Sequence, residues 1–290
     1  MIDFIQHLTT GLMIGSIYAL LAVAFVIIYK ACKIFNFAQG ELMLLGAFFS
    51  WSMLTRLDLN FWLAVALTLG FAFLLGFAIE WFPLRAMVGQ PILSIIMVTL
   101  GLAILFRSLA LALFGATLHP YPAVFPMEPL SFGPLTFSQQ HFWSFVSGLV
   151  FLSLFWLFFR FTNLGLLMRA VAEDQILAKS TGTRVNRFIG LSWAIACIIS
   201  AIAGIFLAAI NGVNIDLADY GLKAIAAALV GGLESIGGAI CGGLIIGAAG
   251  VLTMAYIGHG LSDVAAYIIL VIVLIIKPHG LFGLEKIERV

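Results

Sequence analysis

Apolar stretches recur along the whole chain, most of them close to the roughly 20 residues that an α-helix needs to cross about 30 Å of hydrocarbon. The candidates are Leu8–Tyr29, Phe37–Leu54, Phe61–Ile79, Ile92–Phe114, Phe142–Phe159, Phe188–Ile210, Leu222–Leu233, Ile236–Tyr256 and Val264–Ile276. Only 9% of residues are charged, against about 25% in a soluble domain. A soluble fold of this composition would expose large apolar patches, which a bilayer solvates without penalty. Val264–Ile276 also has the β-branched content of a buried strand, but a lone spanning strand leaves its backbone hydrogen bonds unmade, so helix is expected. The fold class is therefore all-α, a polytopic transmembrane helix bundle of seven to nine spans forming one domain over residues 1–290. Met1–His7 has no basic region and no small-residue cleavage site follows, so the first segment is expected to be a retained span.

Several chemistries are excluded early. The net charge of +1 comes without a polybasic tract, so nothing points to nucleic acid. Cys32, Cys197 and Cys241 are isolated, and the five histidines show no metal-ligand spacing, so no metal is expected. No G-x-x-x-x-G-K-[ST] occurs, so the chain has no nucleotide site of that kind. The ionisable groups in or beside spans, Glu41, Glu80, Arg107 and Glu234, have no His or Cys partner at helical spacing, which argues against an intramembrane hydrolase and for a non-enzyme.

Lysine and arginine placement orients the bundle, because short cytoplasmic loops are enriched in them. The segment 160–187 holds Arg160, Arg169, Lys179, Arg184 and Arg187, and the tail holds Lys277, Lys286 and Arg289, so both are expected to be cytoplasmic. The connection 115–141 has no Lys or Arg but five prolines, and reads as an irregular extracytoplasmic loop. Lys30, Lys33 and Arg85 fit cytoplasmic turns, whereas Arg56 and Lys223 fall on the outer side against the rule.

Polar and glycine interruptions of apolar sequence point to a transport path. Two stand out: Asn36-Phe-Ala-Gln-Gly-Glu41, and Gly231-Gly-Leu-Glu-Ser-Ile-Gly-Gly238. Each places one glutamate before a small-residue helix, so they are expected to be corresponding elements of pseudo-repeated halves with broken or re-entrant helices. On that reading Asn36, Gln39, Gly40, Glu41, Gly231, Gly232, Glu234, Ser235 and Gly238 line a translocation path, since unwound backbone can ligate a solute. The competing reading puts Glu41 and Glu234 in cytoplasmic turns. Glycines at 238, 242, 243, 247 and 250 suit close helix packing. Arg107 should face the interior or snorkel, and Asn211, Asn214, Asp216 and Asp219 suggest a solvated outer loop.

Between Arg169 and Gly182 the residues are helix formers with a glycine stop, predicting a short helix outside the membrane. Val171, Ile176, Leu177 and Ala178 do not share one face, and a merely solvated loop has little use for Ile176-Leu177, so part of it is expected to dock on another protein.

These residues together resemble the permease subunits of branched-chain amino acid ATP-binding-cassette (ABC) importers, the LivH family. The resemblance covers nearly the whole chain. It rests on Phe35-Asn-Phe-Ala-Gln-Gly-Glu41 with Leu45-Gly-Ala47, and on Gly165-Leu-Leu-Met-Arg-Ala-Val-Ala-Glu-Asp174 with Gly182 and Val185-Asn-Arg187. It also rests on Gly221-Leu-Lys-Ala-Ile-Ala-Ala-Ala-Leu-Val-Gly-Gly232 and Lys277-Pro-His-Gly-Leu-Phe-Gly283. The resemblance implies a multi-pass protein of the bacterial inner membrane, a second homologous permease subunit, two cytoplasmic ATPase subunits that carry ATP and Mg, and an extracytoplasmic solute-binding protein. It implies that Arg169, Ala172, Glu173, Asp174, Ile176, Leu177 and Gly182 belong to a coupling helix that docks on the ATPase, and that this chain binds no cofactor itself. Ser180-Thr181 and the Glu234-Ser235 pair depart from the family pattern and leave the substrate open. Permeases for urea and short amides share the family, and an ion-coupled secondary transporter is the rival on the residues alone.

Overall fold

A computed structural model describes residues 1–87, 90–126, 128–180 and 182–283. The sequence breaks into eleven α-helices among those residues: α1 (Ile2–Cys32), α2 (Gln39–Thr55), α3 (Phe61–Ile79), α4 (Ile92–Phe114), α5 (Gln139–Phe161), α6 (Asn163–Glu173), α7 (Gln175–Ser180), α8 (Val185–Asn211), α9 (Tyr220–Gly231), α10 (Ile236–Tyr256) and α11 (Ser262–Ile276). A short antiparallel hairpin, β1 (Leu130–Phe132) with β2 (Leu135–Phe137), folds back in the proline-rich connection. Side-chain caps start four helices: Asn60 accepts from Leu63 N, Thr162 from Gly165 N, Asp174 from Leu177 N and Ser235 from Gly238 N. Six helices among the described residues are long and apolar enough to cross a membrane, in keeping with a polytopic helical protein. The expected spans Phe37–Leu54, Leu222–Leu233 and Val264–Ile276 are helices of 17, 12 and 15 residues. The 12 residues of α9 reach only about 18 Å, short of a full crossing.

Helices α1 and α8 form the centre, buried over most of their length, whereas α4 buries only Thr99, Phe106 and Ala110. Apolar helices gain no hydrophobic free energy by leaving lipid for one another, so what joins them is close packing. Glycine supplies it. A Cβ on Gly15 would come within 2.9 Å of Leu244 Cα, one on Gly11 within 2.7 Å of Ala248 Cα, and Gly243 and Gly247 abut the α1 backbone in return. Gly76 lies against Ala194, and Gly46 against Ala201, in the same way. The expected packing role of glycines 238, 242, 243 and 247 holds; Gly250 differs, with nothing nearer than 4.0 Å.

Side-chain contacts fix which termini share an end. Gln6 donates to Thr136 O (3.1 Å), His119 pairs with Val213, and Trp51 donates to Pro120 O (3.2 Å), which gathers the starts of α1 and α5 with the ends of α2 and α8. At the opposite end Gln175 donates to Ala31 O (2.8 Å) and Lys33 pairs with Glu234 (3.0 Å). That end collects Lys30, Lys33, Arg169, Lys179 and Arg184, so α1 runs toward the basic end and α8 away from it. Lys286 and Arg289 lie outside the described residues. Arg56, at the other end, sits over the rings of Trp51 (5.6 Å) and Phe114 (5.2 Å), which gives this exception to the charge rule a partner.

Candidate functional site

Both α2 and α9 begin inside the bundle, and they begin against each other. The backbones of Gly40 and Gly221 touch, and a Cβ on Gly40 would also strike the carbonyl of Ala218. Asn36 Oδ1 accepts from Ala38 N (3.1 Å), the side-chain turn that lets the chain reverse, and Asn36 Nδ2 donates to Gln39 Oε1 (2.7 Å). Gln39 Nε2 donates to Ser200 Oγ, near the middle of the 27-residue α8. Asn36, Gln39 and Ser200 are all essentially inaccessible, so a satisfied polar chain crosses the core of an apolar bundle. Glu41 follows in the first turn of α2, 9% exposed, where the helix dipole favours a carboxylate. The structure thus brings Asn36, Gln39, Gly40 and Glu41 together.

Gly231, Gly232, Glu234, Ser235 and Gly238 are elsewhere. They form a closed turn at the basic end: Gly231 packs on Gly238, and Gly232 takes φ +105 against Gly283 and His279 O. Leu281 N and Phe282 N donate to the carbonyls of Val230 (2.9 Å) and Gly231 (3.0 Å), so Lys277–Gly283 seals the end of α9. Ser235 is used as the cap of α10, and Glu234 pairs with Lys33 near the surface. This turn and Asn36–Glu41, expected to be corresponding elements, thus lie at different places in the bundle. What meets Asn36–Glu41 is the segment 217–221, and the signal was present, since Leu217-Ala-Asp-Tyr-Gly221 echoes Phe37-Ala-Gln-Gly40. Glu234→Gln should lower stability by less than about 1 kcal/mol, as for other exposed pairs, measured by thermal melting in detergent.

The loop around Asp219 is exposed at Asn211, Asp216 and Asp219, and side-chain pairs hold it in place. Arg107 of α4 pairs with Asp219 (2.6 Å), Asn211 Nδ2 donates to the Tyr220 hydroxyl (3.1 Å), and Asn214 Nδ2 donates to Asp216 (2.9 Å). Lys223 pairs with Asp263 at the start of α11 (2.6 Å). Beside these pairs, a cavity of about 660 Å³ descends between α1, α8, α9, α10 and α11, with Tyr18, Tyr220 and Lys223 on its wall. Among the described residues no group of three or more His, Cys, Asp or Glu could hold a metal ion.

Residues 7–276 match the family described as branched-chain amino acid transport system, permease component. The chain belongs to that family. It is 30% identical to the high-affinity branched-chain amino acid transport system permease protein LivH of Salmonella typhimurium, over 99% of this chain and 98% of that one. LivH of Escherichia coli is equally similar at 30%, and BraD of Pseudomonas aeruginosa, a permease protein of the same description, is 28% identical, each over 99% of this chain and 98% of its own. No solved structure matches significantly. The relatives are transport permeases and not enzymes, and this permease is a multi-pass membrane protein of the same kind.

In the permease the charged loop is two helices where one was expected. The helix stops at Glu173, Asp174 is extended (φ −148), and its carboxylate accepts from Leu177 N (2.9 Å) to start α7. Asp, which competes locally for backbone donors, is the physical cause of the break. Met168 and Val171 of α6 and Ala178 of α7 turn inward, while Arg169, Glu173, Asp174 and Leu177 are exposed and Ala172 lies half-buried beside Lys30. Gly182, the expected stop, takes φ +81 in open space. The side chain of Ile176, and Thr181, lie outside the described residues.

Proposed function

We propose that this permease is one half of the membrane channel of an ABC importer, moving branched-chain amino acids inward with ATP hydrolysed on partner subunits. The observation that carries the reading is the meeting of α2 and α9, both starting at Gly40/Gly221 beside the buried chain Asn36–Gln39–Ser200. Helices that start inside the bundle put N-terminal dipoles and free backbone donors at membrane depth, where a solute can be passed along. Asn36, Gln39, Gly40 and Glu41 are the path residues on this reading. The order of a long α1 followed by the shorter α2 and then α3 recurs as α8, α9 and α10, with α1 and α8 running oppositely. That supports two inverted pseudo-repeats with α2 and α9 as equivalents, able to rock about their junction.

By the positive-inside rule the basic end, with α6, α7 and the C-terminal segment, faces the cytoplasm of a bacterial inner membrane. The exposed face of α6 and α7, with Arg169, Glu173 and Leu177, then docks on one of two ATPases, which hold ATP and Mg. A homologous permease pairs with this one, and a solute-binding protein delivers cargo to the opposite end. The test is uptake of radiolabelled leucine, isoleucine, valine, urea and acetamide by the reconstituted complex. ATP-dependent uptake of the three amino acids, with none by this chain alone, is expected. Uptake of urea or acetamide instead would replace the substrate, and ion-driven uptake by the lone chain would overturn the mechanism.

A further inference from the structure

Lys223 breaks two rules at once. It is a cation inside an apolar bundle, where ionisable groups are costly, and it stands in the first turn of α9, where the helix dipole repels positive charge. Local choices that work against stability mark functional positions. The side chain is 18% exposed while its partner Asp263 is 67% exposed, so a mostly buried ammonium is held by a carboxylate that opens to the cavity. Another carboxylate arriving through the cavity could compete for it.

The cavity has the rest of what a zwitterion with an apolar side chain requires. Its volume of about 660 Å³ lies within the roughly 300–1,000 Å³ of small-molecule sites. Its lining combines the apolar side chains of Ile14, Leu207, Ile246, Val251 and Met254 with the charged pair Lys223 and Asp263, and also includes the polar side chains of His7, Thr10, His141 and Asn211. Opposite charges side by side in a cavity with apolar lining complement an α-carboxylate, an α-ammonium and a branched side chain.

We propose that this cavity is a substrate site within the permease, where an apolar α-amino acid places its carboxylate on Lys223 and its ammonium on Asp263. The proposal rests on the importer reading above and deepens it by locating a resting point for the cargo before the Gly40/Gly221 junction. Tyr18 and Tyr220, 6.0 Å apart between ring centroids, also line it.

The test is binding of tritiated leucine to the full complex in nanodiscs, without the solute-binding protein. Leucine, isoleucine and valine should compete, whereas isocaproate, lacking the amine, and isoamylamine, lacking the carboxylate, should not. Lys223→Met and Asp263→Asn should each weaken binding about tenfold, as loss of a charged hydrogen-bond partner does. Gly250→Leu, at a cavity-lining position whose Cβ would meet only Ser262 O, at 4.0 Å, should abolish binding with the melting temperature little changed. If the double variant Lys223→Met/Asp263→Asn binds leucine as the parent does, the charged pair plays no part in binding and the proposal is wrong. Unchanged binding in Gly250→Leu, or no saturable binding by a complex that transports leucine, also overturns the site while leaving the importer reading intact. A complex that transports no branched-chain amino acid overturns the importer reading itself.

Discussion

Gly40→Leu should leave almost no transport-competent permease, with leucine uptake below about a tenth of the parent and a broadened size-exclusion profile in detergent. At this position a side chain has nowhere to go: a Cβ already meets the Ala218 carbonyl and comes within 3.2 Å of Gly221 Cα. Inserting methylenes into a packed core costs about 1–3 kcal/mol, and here the obstacles are backbone atoms that cannot rotate away. Separating α2 from α9 would also pull Gln39 from Ser200, leaving polar atoms unpaired where no water reaches, at roughly 1–3 kcal/mol more. Gly101 in α4 is the control, since nothing lies within 4 Å of its would-be Cβ. Gly101→Ala should be tolerated, with stability raised by up to about 1 kcal/mol through helix propensity. Equal damage from both substitutions would mean that the junction has no special role.

Leu177→Asp should separate ATP hydrolysis from transport in the assembled importer. Leu177 is 64% exposed, so the permease fold does not need it, and α7 is anchored independently through Ala178 and the Gln175 bond to Ala31 O. If the ATPase covers Leu177, a carboxylate there is desolvated without a partner, which disfavours docking. Uptake is expected to fall about tenfold or more while the melting temperature stays within a degree or so, because exposed substitutions rarely move stability by more than about 0.5 kcal/mol. Glu173→Ala should weaken coupling in the same direction. Unaltered uptake in both variants would remove α6 and α7 from the energy-transfer route. The break at Asp174 makes the prediction sharper: Asp174→Ala removes the cap that starts α7, so it should impair coupling by misplacing Leu177.

The half of the candidate site that was legible was legible for local reasons. Asn36 and Gln39 are polar residues inside an apolar run, and their burial follows from that placement alone. The turn Gly231–Gly238 carried the same outward signs, two glycines and a glutamate, yet it closes the end of α9 because Lys277–Gly283 folds back onto it. Glycine content is silent on purpose: Gly40 allows two helix starts to touch, Gly243 lets α1 and α10 cross, Gly232 takes a left-handed turn, and Gly250 leaves a cavity open. Which of these a glycine does depends on what faces it from far along the chain. The exceptions to the charge rule were readable as exceptions, but their partners, Trp51 and Phe114 for Arg56 and Asp263 for Lys223, were not.

What the sequence determined by itself is the membrane-bound helical class, the family and the positions of most helices. Each depends on residues near one another in the chain: a run of apolar side chains needs lipid, and backbone without water needs a helix. Only the tertiary structure decided that α2 and α9 start against each other at Gly40 and Gly221, and that the polar chain runs through Ser200. It likewise decided that Lys223 faces a cavity. These rest on contacts between distant segments, where the deciding quantity is how closely two backbones can approach, and hydropathy carries no record of that distance.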